Sequence, residues 1–159
     1  NYVDGNREGV WFKLDESGMR NSIENLVVGK KIPILGVCVG MQMLAISSEE
    51  GKLKGLGWVD ATVKRFDSNN VAILPHMGWN NVIPKSYNGL FKNIKEDMKF
   101  YFLHEYYFDA YEKSDIEAIA NYEGEYVCSV RKGNIFGVQF HPEKSHHFGM
   151  QLLKNFAEI

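Results

Sequence analysis

Residues 36–40, which read Gly-Val-Cys-Val-Gly, constrain the fold of this chain more than any other segment. The short apolar run before the cysteine, residues 32–37, is typical of a buried strand. From residue 39 to residue 47, Met41, Leu44 and Ala45 follow one another at helical spacing. A sharp turn from strand to helix lifts its central side chain above the sheet, and the flanking glycines relieve steric crowding. The segment therefore predicts an exposed, oriented Cys38.

A cysteine on such a turn has the features that a nucleophile needs. The backbone N–H of Val39 is expected to face a developing oxyanion. The positive end of the following helix is expected to lower the pKa of the Cys38 thiol and so favour the thiolate. The motif alone is equally compatible with a small buried cysteine in a tight turn, so the functional interpretation needs partner residues elsewhere.

The rest of the chain is rich in short segments with strand character. Apolar and aromatic runs separated by Gly and Pro predict strands at residues 58–66, 71–74, 80–83, 99–108, 116–122, 126–130 and 135–140. Helical spacing occurs at residues 16–28 and in the last segment, and residues 88–96 form a weak short helix pattern. We predict an α/β fold with a mixed sheet and helices on its faces, in one domain covering residues 1–159.

A second segment supplies a base and a group that orients it. The predicted strand at residues 136–140 runs into His141, Pro142 and Glu143, and Pro142 is expected to end the strand. Residues two apart in an extended chain point the same way, so Glu143 can hold the imidazole while His141 faces the thiol. Taken alone, His141 is better explained as a loop histidine beside a surface glutamate. Together with the cysteine turn, the catalytic interpretation becomes the favoured one.

Charge and cysteine content argue against several other classes of function. The 159 residues carry a net charge of −2 without a basic block, which favours neither nucleic acid nor an anionic membrane as a partner. Cys38 and Cys128 indicate neither a disulfide framework nor a metal site, and the adjacent His146 and His147 rarely chelate alone. The longest apolar stretch, residues 32–46, is too short to span a bilayer. With no secretory signal visible, we predict a reduced, cytoplasmic protein.

Together these segments resemble the class I (triad) glutamine amidotransferases. Residues 36–42 resemble the nucleophile segment of that family, and residues 136–143 resemble its His/Glu segment. The resemblance implies that Cys38 is the nucleophile, His141 the base and Glu143 the third member, with glutamine as substrate and no cofactor or metal. It also implies a three-layer, flavodoxin-like fold. The N-terminal strands of the family and its glycine-rich oxyanion segment are expected to precede residue 1.

Four further stretches, residues 47–51, 54–57, 75–80 and 143–145, resemble the glutaminase subunit of imidazole glycerol phosphate synthase. The resemblance implies a heterodimer in which ammonia passes to a (β/α)₈-barrel synthase, or cyclase, for imidazole glycerol phosphate formation in histidine biosynthesis. Substrate-binding roles are implied for Gln42, Glu50 and Tyr106. The residues implied to face the partner are His76, Met77, Trp79, Asn80 and Lys144, with residues 75–80 read as a loop. Glu105 departs from the pattern, because a small hydroxyl residue is usual there.

Three alternatives stay open from the sequence. A paralogous subunit would supply the same ammonia to amino-sugar synthesis for surface polysaccharides. A non-catalytic binding subunit would keep the triad only as scaffold. A standalone peptidase or γ-glutamyl hydrolase would use the same Cys–His pair, although it leaves residues 75–80 unexplained.

Overall fold

The computed structural model describes residues 18–67, 73–94 and 97–159. The helices are α1 (Met19–Glu24), which continues as a π-helical turn over Asn25–Gly29, α2 (Val39–Met43) and α3 (His146–Ala157). The strands are β1 (Ile34–Val37), β2 (Ser47–Ser48), β3 (Ala61–Arg65), β4 (His76–Asn81), β5 (Ile83–Pro84), β6 (Lys99–His104), β7 (Tyr106–Ala110), β8 (Ile116–Asn121), β9 (Glu125–Lys132) and β10 (Ile135–Val138). None of the helices in these ranges has the length and apolar character needed to cross a membrane.

The strands form one mixed sheet and a separate two-stranded ribbon. In the main sheet the order is β1-β10-β9-β7-β3-β2, with β8 paired to β9 and to β5. Strands β1 and β10 are parallel neighbours with Val37 opposite Val138, so their carboxyl ends meet at the same edge. The ribbon pairs β4 with β6 in antiparallel register, with His76 opposite His104. The predicted mixed α/β architecture is confirmed.

Two apolar clusters lie against the strands that carry Cys38 and His141. One holds aromatic residues of β6 and β10 together with Leu152 of α3, and the other holds Met41 and Leu44 of α2. Helix α2 packs closely on β10 because Gly137 has no side chain: a Cβ there would lie 2.7 Å from Met41 Cγ. Close packing of this helix on the sheet fixes the direction in which the turn at Cys38 projects.

Several elements differ from their sequence-based predictions. Residues 75–80, predicted as a loop, belong mostly to β4, because their backbone pairs with β6. The single strand predicted at residues 99–108 is two strands separated at Glu105, whose carbonyl oxygen instead accepts the Phe66 N–H at 3.1 Å. Helix α2 ends at Met43, since residues 47–48 pair with β3. Residues 16–17, 71–72 and 95–96 of the predicted elements lie outside the described residues.

Candidate active site

Cys38 occupies a strained turn immediately after β1. Its backbone has φ 54° and ψ −111°, a combination that residues with a side chain rarely adopt outside functional sites. The Cys38 N–H donates to the Val138 carbonyl oxygen at 2.8 Å, which ties the turn to β10. Gly36 allows the chain to fold back on itself, because a Cβ there would lie 2.6 Å from the Gly40 carbonyl oxygen. The two glycines predicted to relieve crowding therefore have different roles.

We expect the substitution Gly36→Ala to destabilise the fold and displace the nucleophile. The added methyl group would meet three backbone atoms of the following helix within 2.8 Å, and backbone cannot move aside as a side chain can. The expected loss in unfolding free energy is about 1–3 kcal/mol, measured by urea denaturation of the full-length protein. Gly40→Ala is the matched control, because beyond its chain neighbours and the backbone of its own helix no atom lies within 4 Å of the added Cβ. Equal losses in the two variants would contradict this account of the turn.

His141 is held by its neighbours in the orientation that a general base requires. Its backbone N–H donates to the Tyr101 carbonyl oxygen at 2.8 Å, and its Nδ1 lies 2.7 Å from Glu143 Oε1. Since a carboxylate only accepts hydrogen bonds, Nδ1 carries the proton and Nε2 is left with a free lone pair. Nε2 is buried and has no hydrogen-bond partner among the described residues. An unpartnered imidazole nitrogen of this kind can take a proton from a nucleophile or from water.

The parallel pairing of β1 and β10 brings the predicted triad to one edge of the sheet. Cys38 follows β1 directly, and His141 follows β10 after a two-residue bend. The Glu143 carboxylate is near enough to Cys38 to act on its pKa, and the Val39 N–H hydrogen bonds to the sulfur. No hydrogen bond joins the sulfur to His141 Nε2, so proton transfer requires a small closing movement or a bound substrate.

The pKa of the Cys38 thiol is raised in this structure, although the start of the following helix was predicted to lower it. Burial raises the pKa of Cys38, and the carboxylates of Glu143 and Glu50 raise it further, while the Val39 N–H and the Gln139 amide act in the opposite direction. The thiol donates to the Leu103 carbonyl oxygen at 3.8 Å, a contact that suits the protonated form. The Val39 N–H, in the first turn of the five-residue helix α2, acts in the predicted direction but does not outweigh burial.

The residues predicted to bind substrate are linked to the nucleophile in different ways. Gln42 is 5% exposed, and its Nε2 donates to the Tyr106 carbonyl oxygen and to Gln139 Oε1, both at 2.9 Å. Glu50 acts electrostatically on Cys38. Tyr106 thus contributes its backbone to the site in this structure, and the roles of these residues toward a substrate stay predictions.

Three of the residues predicted to face a partner are exposed. Along β4, Met77 and Trp79 point outward and are 65% and 47% exposed. Lys144 is exposed as well, and its Nζ lies 5.7 Å above the Tyr101 ring. Met77 and Trp79 pair across the ribbon with Leu103 and Tyr101, so these side chains form one surface, which we call the ribbon face.

His76 and Asn80 differ from the prediction, because the alternation along β4 turns them inward. The His76 side chain is 3% exposed and cannot itself contact a partner in this conformation. Its Nδ1 lies 3.1 Å from His104 Nε2, and Asn80 Nδ2 lies 3.3 Å from His76 Nε2. Asn80 also donates to the Asn121 carbonyl oxygen at 2.8 Å, so both side chains form hydrogen bonds on the inner side of the ribbon.

Sequence reasoning missed Gln139 and His104, which lie close to the nucleophile. Gln139 is fully buried, with Nε2 at 3.7 Å from Cys38 Sγ, and His104 is 7% exposed. A signal for Gln139 was available, because it is the one polar residue in an otherwise apolar run at residues 135–140. Across the described ranges no three His, Cys, Asp or Glu side chains come together as a metal site.

Comparison with known proteins gives a consistent set of likenesses. The family model described as glutamine amidotransferase class-I matches residues 15–159. The Leptospira borgpetersenii protein named imidazole glycerol phosphate synthase subunit HisH is 51% identical over 158 residues, covering 98% of this chain and 78% of that protein. A Bdellovibrio bacteriovorus protein of the same name is 54% identical over 152 residues, covering 92% of this chain and 74% of that protein.

Solved structures agree in fold at lower sequence identity. A crystal structure of a glutamine amidotransferase from Thermotoga maritima superposes with a TM-score of 0.62 at 21% identity, covering 99% of this chain and 60% of that one. This chain therefore spans less than two thirds of that protein. A second glutamine amidotransferase structure superposes with a TM-score of 0.66 at 17% identity, covering 91% of this chain and 71% of the other.

Proposed function

The chain belongs to the class I glutamine amidotransferase family, and on that premise we propose that it is the glutaminase subunit of an imidazole glycerol phosphate synthase. It hydrolyses glutamine to glutamate and ammonia and passes the ammonia to a synthase partner. The names of the relatives favour this acceptor over an amino sugar. The observation that carries the chemistry is the unpartnered Nε2 of His141, oriented by Glu143 at the edge where the strained Cys38 turn lies.

The first half of the reaction transfers the glutamyl group to sulfur. His141 Nε2 takes the thiol proton, and the Cys38 thiolate attacks the side-chain carbonyl carbon of glutamine. The Val39 N–H stabilises the oxyanion of the tetrahedral intermediate. When the intermediate collapses, the C–N bond breaks and His141 returns the proton to the leaving nitrogen. Because burial keeps the thiol protonated at rest, the thiolate forms only as part of this step.

The second half regenerates the enzyme. His141 Nε2 removes a proton from water while the water oxygen attacks the thioester carbon. The C–S bond then breaks, glutamate leaves, and the proton held by His141 returns to the Cys38 sulfur. Glu143 stays ionised throughout and stabilises the imidazolium in both halves.

The proposed glutamine site is built around the nucleophile. We assign Glu50 to the ammonium group of the substrate, because a carboxylate near Cys38 suits a cationic ligand. We also propose substrate-binding roles for Gln42 and Tyr106, which lie behind Gln139, the residue that contacts the sulfur. The Glu105 carboxylate forms an ion pair with Arg65 at 3.0 Å, so its charge is offset rather than left to repel the substrate carboxylate.

The ribbon face is the proposed docking surface for the synthase, for which we propose a (β/α)₈ barrel. It exposes Met77 and Trp79, residue types that protein interfaces favour. The same ribbon contributes two carbonyl oxygens to the active site: Leu103 accepts from Cys38, and Tyr101 accepts from His141. A partner bound here lies beside the site of ammonia release and shields the ammonia from bulk water. Ring closure belongs to that partner, and this chain performs the hydrolysis.

The function is tested by measuring glutamate release from glutamine by the full-length protein with its synthase partner and acceptor substrate. We expect release to depend on the partner, and Met77→Lys to raise the partner concentration needed for half-maximal activity by about tenfold or more, because a buried charge at an interface is costly. Met150→Lys on α3 is the matched control, since Met150 is 67% exposed against 65% for Met77. Partner-independent hydrolysis would favour a standalone hydrolase, and equal effects of the two variants would remove the ribbon face as the docking surface.

A further inference from the structure

A buried glutamine beside the nucleophile has no part in the triad mechanism. Gln139 follows β10, is fully buried, and places its Nε2 at 3.7 Å from Cys38 Sγ. We propose that Gln139 is a positioning residue for the reaction, whose side-chain amide donates to Cys38 Sγ and holds the sulfur in place as its proton leaves. This inference rests on the proposed function to the extent that Cys38 is the nucleophile.

The hydrogen-bond network fixes which end of the Gln139 amide faces the sulfur. One side-chain atom of Gln42 lies 2.9 Å from the Tyr106 carbonyl oxygen, which can only accept, so this atom is the donor Nε2. The same nitrogen lies 2.9 Å from the Gln139 side chain, which must therefore present its acceptor Oε1. Gln139 Nε2 is left facing the Cys38 sulfur and can only donate to it.

The Tyr106 carbonyl oxygen that orients the Gln42 amide also accepts a hydrogen bond from the buried histidines of the ribbon. His104 Nδ1 lies 2.8 Å from the same Tyr106 carbonyl oxygen, so Nδ1 carries the proton. Burial lowers the pKa of His104 to about 3, so the ring is neutral at physiological pH and its Nε2 accepts. His76 Nε2 accepts from Asn80 Nδ2 at 3.3 Å, so His76 Nδ1 carries the proton and lies 3.1 Å from His104 Nε2. The Tyr126 hydroxyl contacts the same two nitrogens, at 3.2 Å from His76 Nδ1 and 3.4 Å from His104 Nε2. Donation from the ribbon ends at the Tyr106 carbonyl oxygen, which also accepts from Gln42 Nε2, so the ribbon fixes the position of the acceptor that orients the Gln42 amide.

Beside the Val39 N–H, Gln139 provides the second hydrogen-bond donor to the nucleophilic sulfur, whereas burial and two carboxylates oppose a negative charge there. In the thiol form the sulfur donates its proton to the Leu103 carbonyl oxygen, which has no hydrogen to donate to a thiolate. The carboxylates of Glu50 and Glu143 also act on the sulfur and disfavour its ionisation. His141 provides a compensating cation only after it has taken the proton. The Gln139 N–H is present before and after that transfer, so it stabilises the sulfur as charge develops on it.

The test uses an assay that does not depend on glutamine hydrolysis. The rate of Cys38 alkylation by iodoacetamide is measured between about pH 6 and pH 10 in the full-length protein, by mass spectrometry of the peptide that carries Cys38, and reports the thiolate fraction. In Gln139→Met we expect the alkylation rate at each pH below the midpoint to fall about tenfold, which corresponds to an alkaline shift of about one pH unit, because a hydrogen bond to a charged group is lost. Glutaminase kcat/KM at neutral pH is expected to fall about tenfold, mainly through kcat.

Two further variants make the result decisive. Gln151→Met makes the same change on α3, where Gln151 donates to Asn155 Oδ1 at 2.8 Å, and is expected to leave the alkylation profile of Cys38 unchanged. Gln42→Met keeps Gln139 but removes the donor that orients it, so a smaller alkaline shift is expected, and this variant carries the test if Gln139→Met does not fold. An unchanged profile in folded Gln139→Met and Gln42→Met would overturn the inference, even with activity lost. Full activity of Cys38→Ala would instead overturn the proposed function, so the two failures are distinguishable.

Discussion

Replacing Cys38 with alanine is expected to lower kcat for glutamine hydrolysis by about 10⁴-fold or more, because the covalent route is lost entirely. No other described side chain at the site offers a comparable nucleophile, since the remaining groups are carboxylates, amides and imidazole. Glutamate release by the variant in complex with its synthase partner is the measurement. The partner's reaction with externally supplied ammonia should persist at the wild-type rate, because the variant removes only the source of ammonia.

Cys128→Ala is the matched control for this substitution. Cys128 is the only other cysteine in the sequence, and it is fully buried in the aromatic cluster of β6 and β10. Its pKa is raised well above the ordinary value by burial, so it is an inert structural residue. We expect this variant to keep its kcat and to lose about 1 kcal/mol of stability through the small cavity. Glutaminase activity retained in Cys38→Ala but lost in Cys128→Ala would reverse the assignment of the nucleophile.

The features of the candidate site that the sequence predicted and the structure shows are those formed by residues close along the chain. The strand-to-helix turn at Cys38 is a local feature of residues 36–40, and the contact between His141 and Glu143 joins residues two apart. Their position at one edge followed from the rule that the ends of parallel strands meet. Residue types and spacing alone were sufficient for these predictions.

The features that the sequence did not reveal depend on distant segments. The contact between Gln139 and Cys38 joins residues 101 positions apart, and that between Gln42 and Gln139 joins residues 97 apart. The raised pKa of Cys38 likewise results from burial and from carboxylates on separate segments, which outweigh the short helix. The inward direction of His76 followed from the pairing of β4 with β6, and that pairing was not visible while residues 75–80 were read as a loop.

The buried histidines of the ribbon predict a steep loss of stability in acid. Burial lowers the pKa of His76 to about 4 and that of His104 to about 3, against 6.5 for the exposed group. Below pH 6.5 the unfolded chain therefore binds protons that the folded chain does not. The free energy of unfolding keeps the whole contribution of the two histidines above pH 6.5 and decreases as the pH falls toward 4. At about 1.4 kcal/mol per pH unit for each histidine, the expected loss between pH 6.5 and pH 4.5 is about 5 kcal/mol.

Urea denaturation of the full-length protein at several pH values measures this loss, and comparison with variants separates the histidines from the carboxylates that also titrate in acid. His104→Gln keeps a donor for the Tyr106 carbonyl oxygen but cannot bind a proton. The decrease in its free energy of unfolding between pH 6.5 and pH 4.5 should therefore be about 2–3 kcal/mol smaller than in the wild type. His147→Gln alters an exposed histidine and should follow the wild-type curve. Nitrogen NMR of the imidazole rings should show His76 and His104 still neutral at pH 5. A wild-type pH dependence in His104→Gln, or two rings that titrate near pH 6.5, would contradict the neutral state of the buried histidines that hydrogen bond the ribbon to the Tyr106 carbonyl oxygen.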